Sequence, residues 1–200
     1  MRILFLDFDG VLNSESWMLA QPKHTNFIRA LDRTAVTLLA EIVARTQAQI
    51  VVSSSWRRMY SADVLRQLLT EAGYPAPCPI IGLTPILHRT PDGDPQVRGH
   101  EIQQWLDEAA QREGERVDLF AILDDDSDMA HLRHRLVQTS FKIGLTRDHA
   151  ESVIALLTPN SELRCRRCCS TDISVEPTAL GGSAASFNVD CRTCGVAYGT

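Results

Sequence analysis

Lysine is almost missing from this chain: Lys23 and Lys142 are the only two, so arginine carries nearly all of the positive charge. Acidic residues outnumber basic ones, 25 to 20, for a formal net charge of −5 and a pI near 5.7. That balance excludes a global field drawing the chain to nucleic acid or an anionic membrane, while leaving room for a local basic patch. No apolar stretch approaches the roughly 18 residues that a spanning helix needs. Ile3–Leu6 is too short for the hydrophobic region of a signal peptide and Asp7 interrupts it, so the cytoplasm is the expected compartment and no membrane partner is expected. Internal repeats and low-complexity tracts are lacking too, which excludes solenoids. No GxxxxGK followed by Ser or Thr occurs, so a P-loop kinase half is absent from this sequence. Before Cys165 the only cysteine is Cys78, and the histidines show no ligand-like spacing; His131 and His134 read as a solvated helix face.

What remains is an ordinary globular composition, 44% hydrophobic and 22% charged, enough for one medium domain with its own core and a small appendage. Strand-like and helix-like segments alternate along the body. Ile3–Leu6 is a short apolar run; Ala35–Ala44 has helical spacing and Gln49–Val52 then turns β-branched. Asp63–Ala72 reads as a helix closed by Gly73, Ile80–Gly82 as a strand, and His100–Arg112 as an amphipathic helix. Leu119–Leu123 and Leu136–Val137 are apolar again, and Thr146–Leu157 makes a last helix. Alternation of this kind predicts an α/β fold: a doubly wound parallel sheet with helices on both faces.

In such sheets ligands bind outside the carboxyl ends of the strands. Three predicted strands end there in polar residues: Asp7 and Asp9 after the first, Ser53–Ser55 after the second, and Asp124–Asp126 with Ser127 and Asp128 after a later one. Acids packed that closely repel one another, and a hard divalent cation relieves the repulsion. A site of one or two carboxylates plus waters and a substrate phosphate suits Mg²⁺. The serines can equally cap the next helix, and Asp126 and Asp128 can be favourable acids of a helix first turn.

These residues resemble the haloacid dehalogenase superfamily. Asp7-Phe8-Asp9-Gly10-Val11-Leu12 matches its first motif, DxDGxL; the strand-terminal Ser53–Ser55 match the second; Leu123-Asp124-Asp125 with Asp128 match the fourth. The third motif is usually a lysine near the start of a later helix, and neither lysine falls in that interval. Arg98, just before a Gly99–Ala110 helix, is the best substitute, with Arg89 in reserve. The resemblance covers about residues 1–157 and implies a little-capped phosphatase working through an aspartyl-phosphate. Asp7 is then the nucleophile and a Mg²⁺ ligand. Asp9 lends the metal its backbone carbonyl and acts as general acid, then base. Ser53, Ser54 and Ser55 bind the phosphoryl group, Ser54 foremost, and Arg98 balances charge. Asp124 and Asp125 complete the metal shell, with Asp128 acting through water or a hydrogen bond. The order SSSWR, RGHEIQQWL, ILDDDSDM is similar to the phosphatase-like domain of Swiss Army Knife RNA repair proteins and, in order, to the phosphatase module of polynucleotide kinase-phosphatases. That similarity implies phosphorylated RNA or DNA ends as substrates. A small-molecule phosphatase of nucleotidase type, or a non-catalytic scaffold, is the alternative.

The tail gives a separate signal. Thr158-Pro159-Asn160-Ser161 has linker chemistry, so the expected division is a phosphatase-like domain at 1–157, a linker at 158–163 and a small domain at 164–200. Cys165-Arg166-Arg167-Cys168 and Cys191-Arg192-Thr193-Cys194 are two CxxC units 22 residues apart, a spacing that suits a tetrahedral Cys₄ site for structural Zn²⁺. Cys169 can stand in for Cys168. The segment resembles a zinc ribbon, with Ser174–Pro177 and Phe187–Asp190 as strands around a Gly181-Gly182 turn. Arg164, Arg166, Arg167 and Arg192, with Phe187 and Tyr198, could contact nucleic acid; balancing acids make a protein-docking ribbon an equal alternative.

Overall fold

The computed structural model describes residues 1–22, 30–87, 97–112, 116–159, 173–178, 186–195 and 197–199. Arg89, Cys165, Cys168, Cys169, Arg164, Arg166, Arg167, most of the 158–163 linker and the Gly181-Gly182 turn lie outside these residues, as do the side chains of Cys191, Phe187 and Tyr198. The chain divides into two compact units, Met1–Thr158 and Pro159–Thr200.

In the first unit, β1 (Arg2–Leu6), β2 (Gln49–Val52), β3 (Ile80–Leu83), β4 (Leu119–Asp124) and β5 (Leu136–Gln138) form one parallel sheet in the order β3-β2-β1-β4-β5. The chain winds outward through β2 and β3, then crosses back past β1 to β4. The order therefore reverses between β1 and β4, where open α/β sheets place ligands. The connecting helices are α1 (Glu15–Ala20), α2 (Arg33–Thr46), α3 (Ala62–Glu71), α4 (Arg98–Gln111) and α5 (Arg147–Leu157).

Alternation along the strands sorts the core onto two faces. Leu4, Leu6, Ile50, Val52 and Leu123 pack with α2, α3 and α5. Ile3, Phe5, Val51 and Ile122 face the other way, against Ile102, Trp105 and Ala109 of α4. All four apolar residues Ile3–Leu6 are fully buried, worth at most roughly 6–12 kcal/mol together at the usual 1.5–3 each. A contribution of that size holds β1 at the sheet centre although it ends in two acids.

Local chemistry starts the helices. Asp32 accepts from Thr34 N at 2.8 Å to cap α2, Ser61 caps α3, and Thr146 with His149 forms a capping box on α5. α4 has no such cap of its own, because Val97 stands at that position. Its first N–H, that of Arg98, is instead accepted by the Asp128 carboxylate at 3.1 Å, and Gly99 N by the Asp128 carbonyl at 3.2 Å. This borrowed cap draws Arg98 into the first turn rather than leaving it ahead of the helix. Gly99 permits the approach, since a Cβ there would overlap the Met129 backbone.

The second unit holds a three-stranded antiparallel sheet, β6 (Ile173–Thr178), β7 (Ser186–Cys191) and β8 (Ala197–Gly199), with Ile173 opposite Cys191. The two expected strands fall within β6 and β7; β8 had no signal in the sequence. Among the described residues, no helix is long and apolar enough to cross a membrane.

Candidate active site

The strand ends share one rung. Leu6 is in register with Val52 and Leu123, and Val52 with Leu83. The ladder runs one step further through Asp7 N to Leu123 O, Ser53 N to Leu6 O and Thr84 N to Val52 O, each 3.0 Å. Thr84, Ser53, Asp7 and Asp124 thus sit side by side across four strands. The residues before them face α2, α3 and α5, so period-two alternation turns these four toward α4.

Arg98, at the start of α4, meets this row. Its guanidinium is 2.9 Å from Asp7 Oδ2 and pairs closely with Asp124 Oδ2; exposed Asp126 is 4.0 Å away. Burial opposes the Arg98 charge, but Asp7 and Asp124 outweigh it and hold its pKa above the usual range. One arginine does not neutralise the cluster. Burial, and then the charge of Asp7, push the Asp124 carboxyl up to about 8 against the pull of Arg98. Burial, with Asp7 and Asp126, lifts Asp125 to about 6. Oxygens of Asp7, Asp124 and Asp125 lie within 4.8 Å of one another. An oxygen-only donor set with unrelieved negative charge fits a hard divalent cation such as Mg²⁺. The loop is built for this approach: Gly10 has φ +67°, and a Cβ there would collide with the Asp125 carboxyl. Thr139 secures it, donating to Gly10 O at 2.7 Å.

Asp9 lies apart from these three acids. Its Oδ2 accepts from Trp56 Nε1 at 2.8 Å and its Oδ1 from Asn13 Nδ2 at 2.9 Å. Asp128 is committed to the α4 cap described above. The three serines differ. Ser53 Oγ is buried with no partner among the described residues, as is Thr84 Oγ1. Ser54 Oγ accepts from Trp56 N at 3.3 Å and starts a short 3-10 helix, Ser55–Arg58, while Ser55 is exposed. His131 and His134 are exposed and bond to Gln103 and to the His131 carbonyl.

Sequence reading missed a buried clamp beneath the site. The Arg57 guanidinium donates to the carbonyls of Ser53, Ser54, Thr84 and Pro85 and pairs with Glu101 of α4; Glu101 also accepts from Leu87 N at 3.0 Å. The pair ties the ends of β2 and β3 to the helix that carries Arg98. Trp56 and Asn13 were missed as well. Asn13 carried a faint signal, four residues after Asp9 in the same turn; Trp56 lies in the SSSWR segment of the resemblance, but nothing there pointed to a carboxylate 47 residues away.

The sheet order, the acid cluster at its reversal point and the basic residue opposite define an α/β protein of haloacid dehalogenase type. Consistent with this, the family model described as "HAD domain in Swiss Army Knife RNA repair proteins" matches residues 3–150, and the chain belongs to that family. The family is generally one of hydrolases and phosphatases, and a phosphatase-like function follows at that level. No curated protein and no solved structure matches the chain.

Proposed function

We propose that the chain is a Mg²⁺-dependent phosphatase that takes the phosphoryl group of a nucleic-acid end or nucleotide onto Asp7 and releases it to water. The observation that carries this reading is the single rung: Asp7 beside Ser53 and Asp124, with Arg98 bridging the two carboxylates. A carboxylate with a cation across from it and a hydroxyl beside it is arranged for attack on phosphorus. The Asp7 oxygen forms the new P–O bond as the ester P–O bond breaks, and Asp9 gives a proton to the departing oxygen. Asp9 then takes a proton from the attacking water, and inorganic phosphate leaves. Ser53, whose hydroxyl has no partner among the described residues, donates to a phosphoryl oxygen; Ser54 shapes the turn that carries it, and Ser55 lines its exposed side. Arg98 neutralises charge on Asp7 and the phosphoryl group. Asp7, Asp124, Asp125 and the Asp9 backbone carbonyl would hold Mg²⁺, which when bound supplies further charge neutralisation. The family's association with RNA repair supports a nucleic-acid end as substrate.

The proposal extends to the second unit, where Cys165, Cys168, Cys191 and Cys194 hold structural Zn²⁺ in a ribbon that docks nucleic acid or a protein. The antiparallel β6–β7 pair, whose second strand ends on Cys191, supports this, and metal analysis of the purified protein tests it.

The deciding experiment measures phosphate release from 3′- and 5′-phosphorylated RNA and DNA oligonucleotides and from mononucleotides, with Mg²⁺, beside Asp7→Asn. Release from one oligonucleotide end, lost in the variant, is expected. Release from mononucleotides alone would move the substrate to small metabolites; silence throughout, in folded protein, would leave a scaffold.

A further inference from the structure

Asp9 is held more firmly than a part-buried carboxylate at a turn needs to be. Trp56 is 4% exposed and packed against Phe8 and Tyr60, with ring centroids 5.1 and 5.9 Å away. Its indole N–H, a donor that can never accept, points at Asp9 Oδ2 at 2.8 Å. The second donor is equally fixed. Asn13, also 4% exposed, accepts from Gly10 N through Oδ1 at 3.2 Å. Only the amide oxygen can meet a backbone N–H, so Nδ2 must face Asp9 Oδ1, where it lies at 2.9 Å. Both carboxyl oxygens are therefore pinned by donors mounted on buried groups, which removes the rotamer freedom of the side chain.

We propose that Trp56, with Asn13, is a positioning residue that fixes the Asp9 carboxyl where it delivers a proton to the leaving oxygen. The inference rests on the phosphatase reading above. In the step concerned, the Asp7 oxygen bonds to phosphorus, the P–O bond to the leaving group breaks with its electron pair on the departing oxygen, and that oxygen takes the Asp9 proton. The Asp9 carboxylate so formed accepts from Trp56 Nε1 and Asn13 Nδ2, and the next water returns a proton to it. Delivery by a general acid depends on placement within hydrogen-bond reach, and the whole effect is worth about 10²–10⁴-fold.

The demand for that proton depends on the leaving group, which gives a direct test. An alkoxide needs protonation as it departs, whereas p-nitrophenolate leaves as a stable anion. Trp56→Phe keeps most of the ring packing and removes the N–H. With Mg²⁺ present, kcat/KM is measured for an alkyl phosphate and for p-nitrophenyl phosphate, because that ratio reports steps up to phosphoryl transfer to Asp7. The variant is expected to lose about 10- to 100-fold on the alkyl ester and no more than a few-fold on the aryl ester, part of the general-acid effect. The comparison of the two esters is internal to one preparation, so partial unfolding does not move it. Equal losses on both esters, or none, would overturn the inference. Should Trp56→Phe fail to fold, Asn13→Ala reads the other donor and is expected to show the same selective loss. A wild-type protein inactive on both esters, or one whose activity survives Asp7→Asn, would instead sink the phosphatase reading itself.

Discussion

Raising the pH of metal-free protein through neutrality should weaken it, and Mg²⁺ should matter most where it is weakest. Asp124 is fully buried and its carboxyl is pushed up to about 8, while an unfolded aspartate titrates near 3.9. Between those values the folded chain holds a proton that the unfolded chain has released, so stability falls as pH rises, by about 1.4 kcal/mol per unit for one proton. From about pH 5.5 to about pH 7.5 the loss is roughly 3 kcal/mol. Asp125, lifted to about 6, adds to it in the lower part of that range. At about 2–4 °C per kcal/mol for a unit of this size, the thermal midpoint in EDTA should drop by roughly 6–12 °C. A cation bound among these oxygens replaces the proton, so the rise in midpoint on adding Mg²⁺ should be larger at the higher pH. Asp124→Asn isolates the effect: in EDTA it should lose most of the pH slope and exceed the wild type in midpoint near pH 7.5. Differential scanning calorimetry with and without Mg²⁺ makes the comparison. A wild-type midpoint that is flat or rises with pH in EDTA, or a slope that Asp124→Asn retains, would refute the reasoning.

Two further outcomes follow from packing. Glu101→Gln leaves the Arg57 guanidinium, 3% exposed, without its counter-charge, and denaturant unfolding should show a loss of about 3–5 kcal/mol; a loss under about 1 kcal/mol would mean that water solvates Arg57. Gly99→Ala gains helix propensity worth about 1 kcal/mol yet drives a methyl into the Met129 backbone, so overpacking by about 1–3 kcal/mol should win and phosphate release should fall as Arg98 shifts. An unchanged or raised midpoint would show that α4 can retreat at no cost.

The sheet and the acids were legible because the signal is local. An apolar run passing straight into Asp, Ser or Asp-Asp marks both a buried strand and its carboxyl end, and Asp7, Ser53 and Asp124 are each found at such a place. Whatever depends on a distant partner was not legible. Arg98 was expected ahead of its helix and instead opens it, because the cap comes from Asp128, 30 residues on. Asp128 was expected to act on the metal shell through water or a hydrogen bond, or else to be an acid of a helix first turn. Its carboxylate goes to the helix N–H, a choice that sequence spacing cannot express. Trp56 showed no ligand-like pattern, since its role is set by one N–H reaching across the fold to Asp9. Arg57 and Glu101 fall within the SSSWR and RGHEIQQWL segments of the resemblance, but nothing there pairs them; only the packed structure shows both buried against each other. Among the serines, the resemblance put Ser54 foremost; the backbone gives Ser54 a helix to start and leaves the Ser53 hydroxyl without a partner among the described residues.

The shared rung of Thr84, Ser53, Asp7 and Asp124 makes the site sensitive to counting as well as to residue identity. Deleting or inserting one residue within β1, β2 or β4 would leave the composition nearly untouched, but would swing every later side chain of that strand to the opposite face. The acid or serine at its end would then point toward α2, α3 and α5, away from Arg98. Connections remote from the strand ends carry no such parity, and changes in their length leave the alignment intact. Over generations, this protein should therefore accumulate length variation between its strands and almost none inside them. A random insertion library selected for phosphate release would trace that boundary residue by residue.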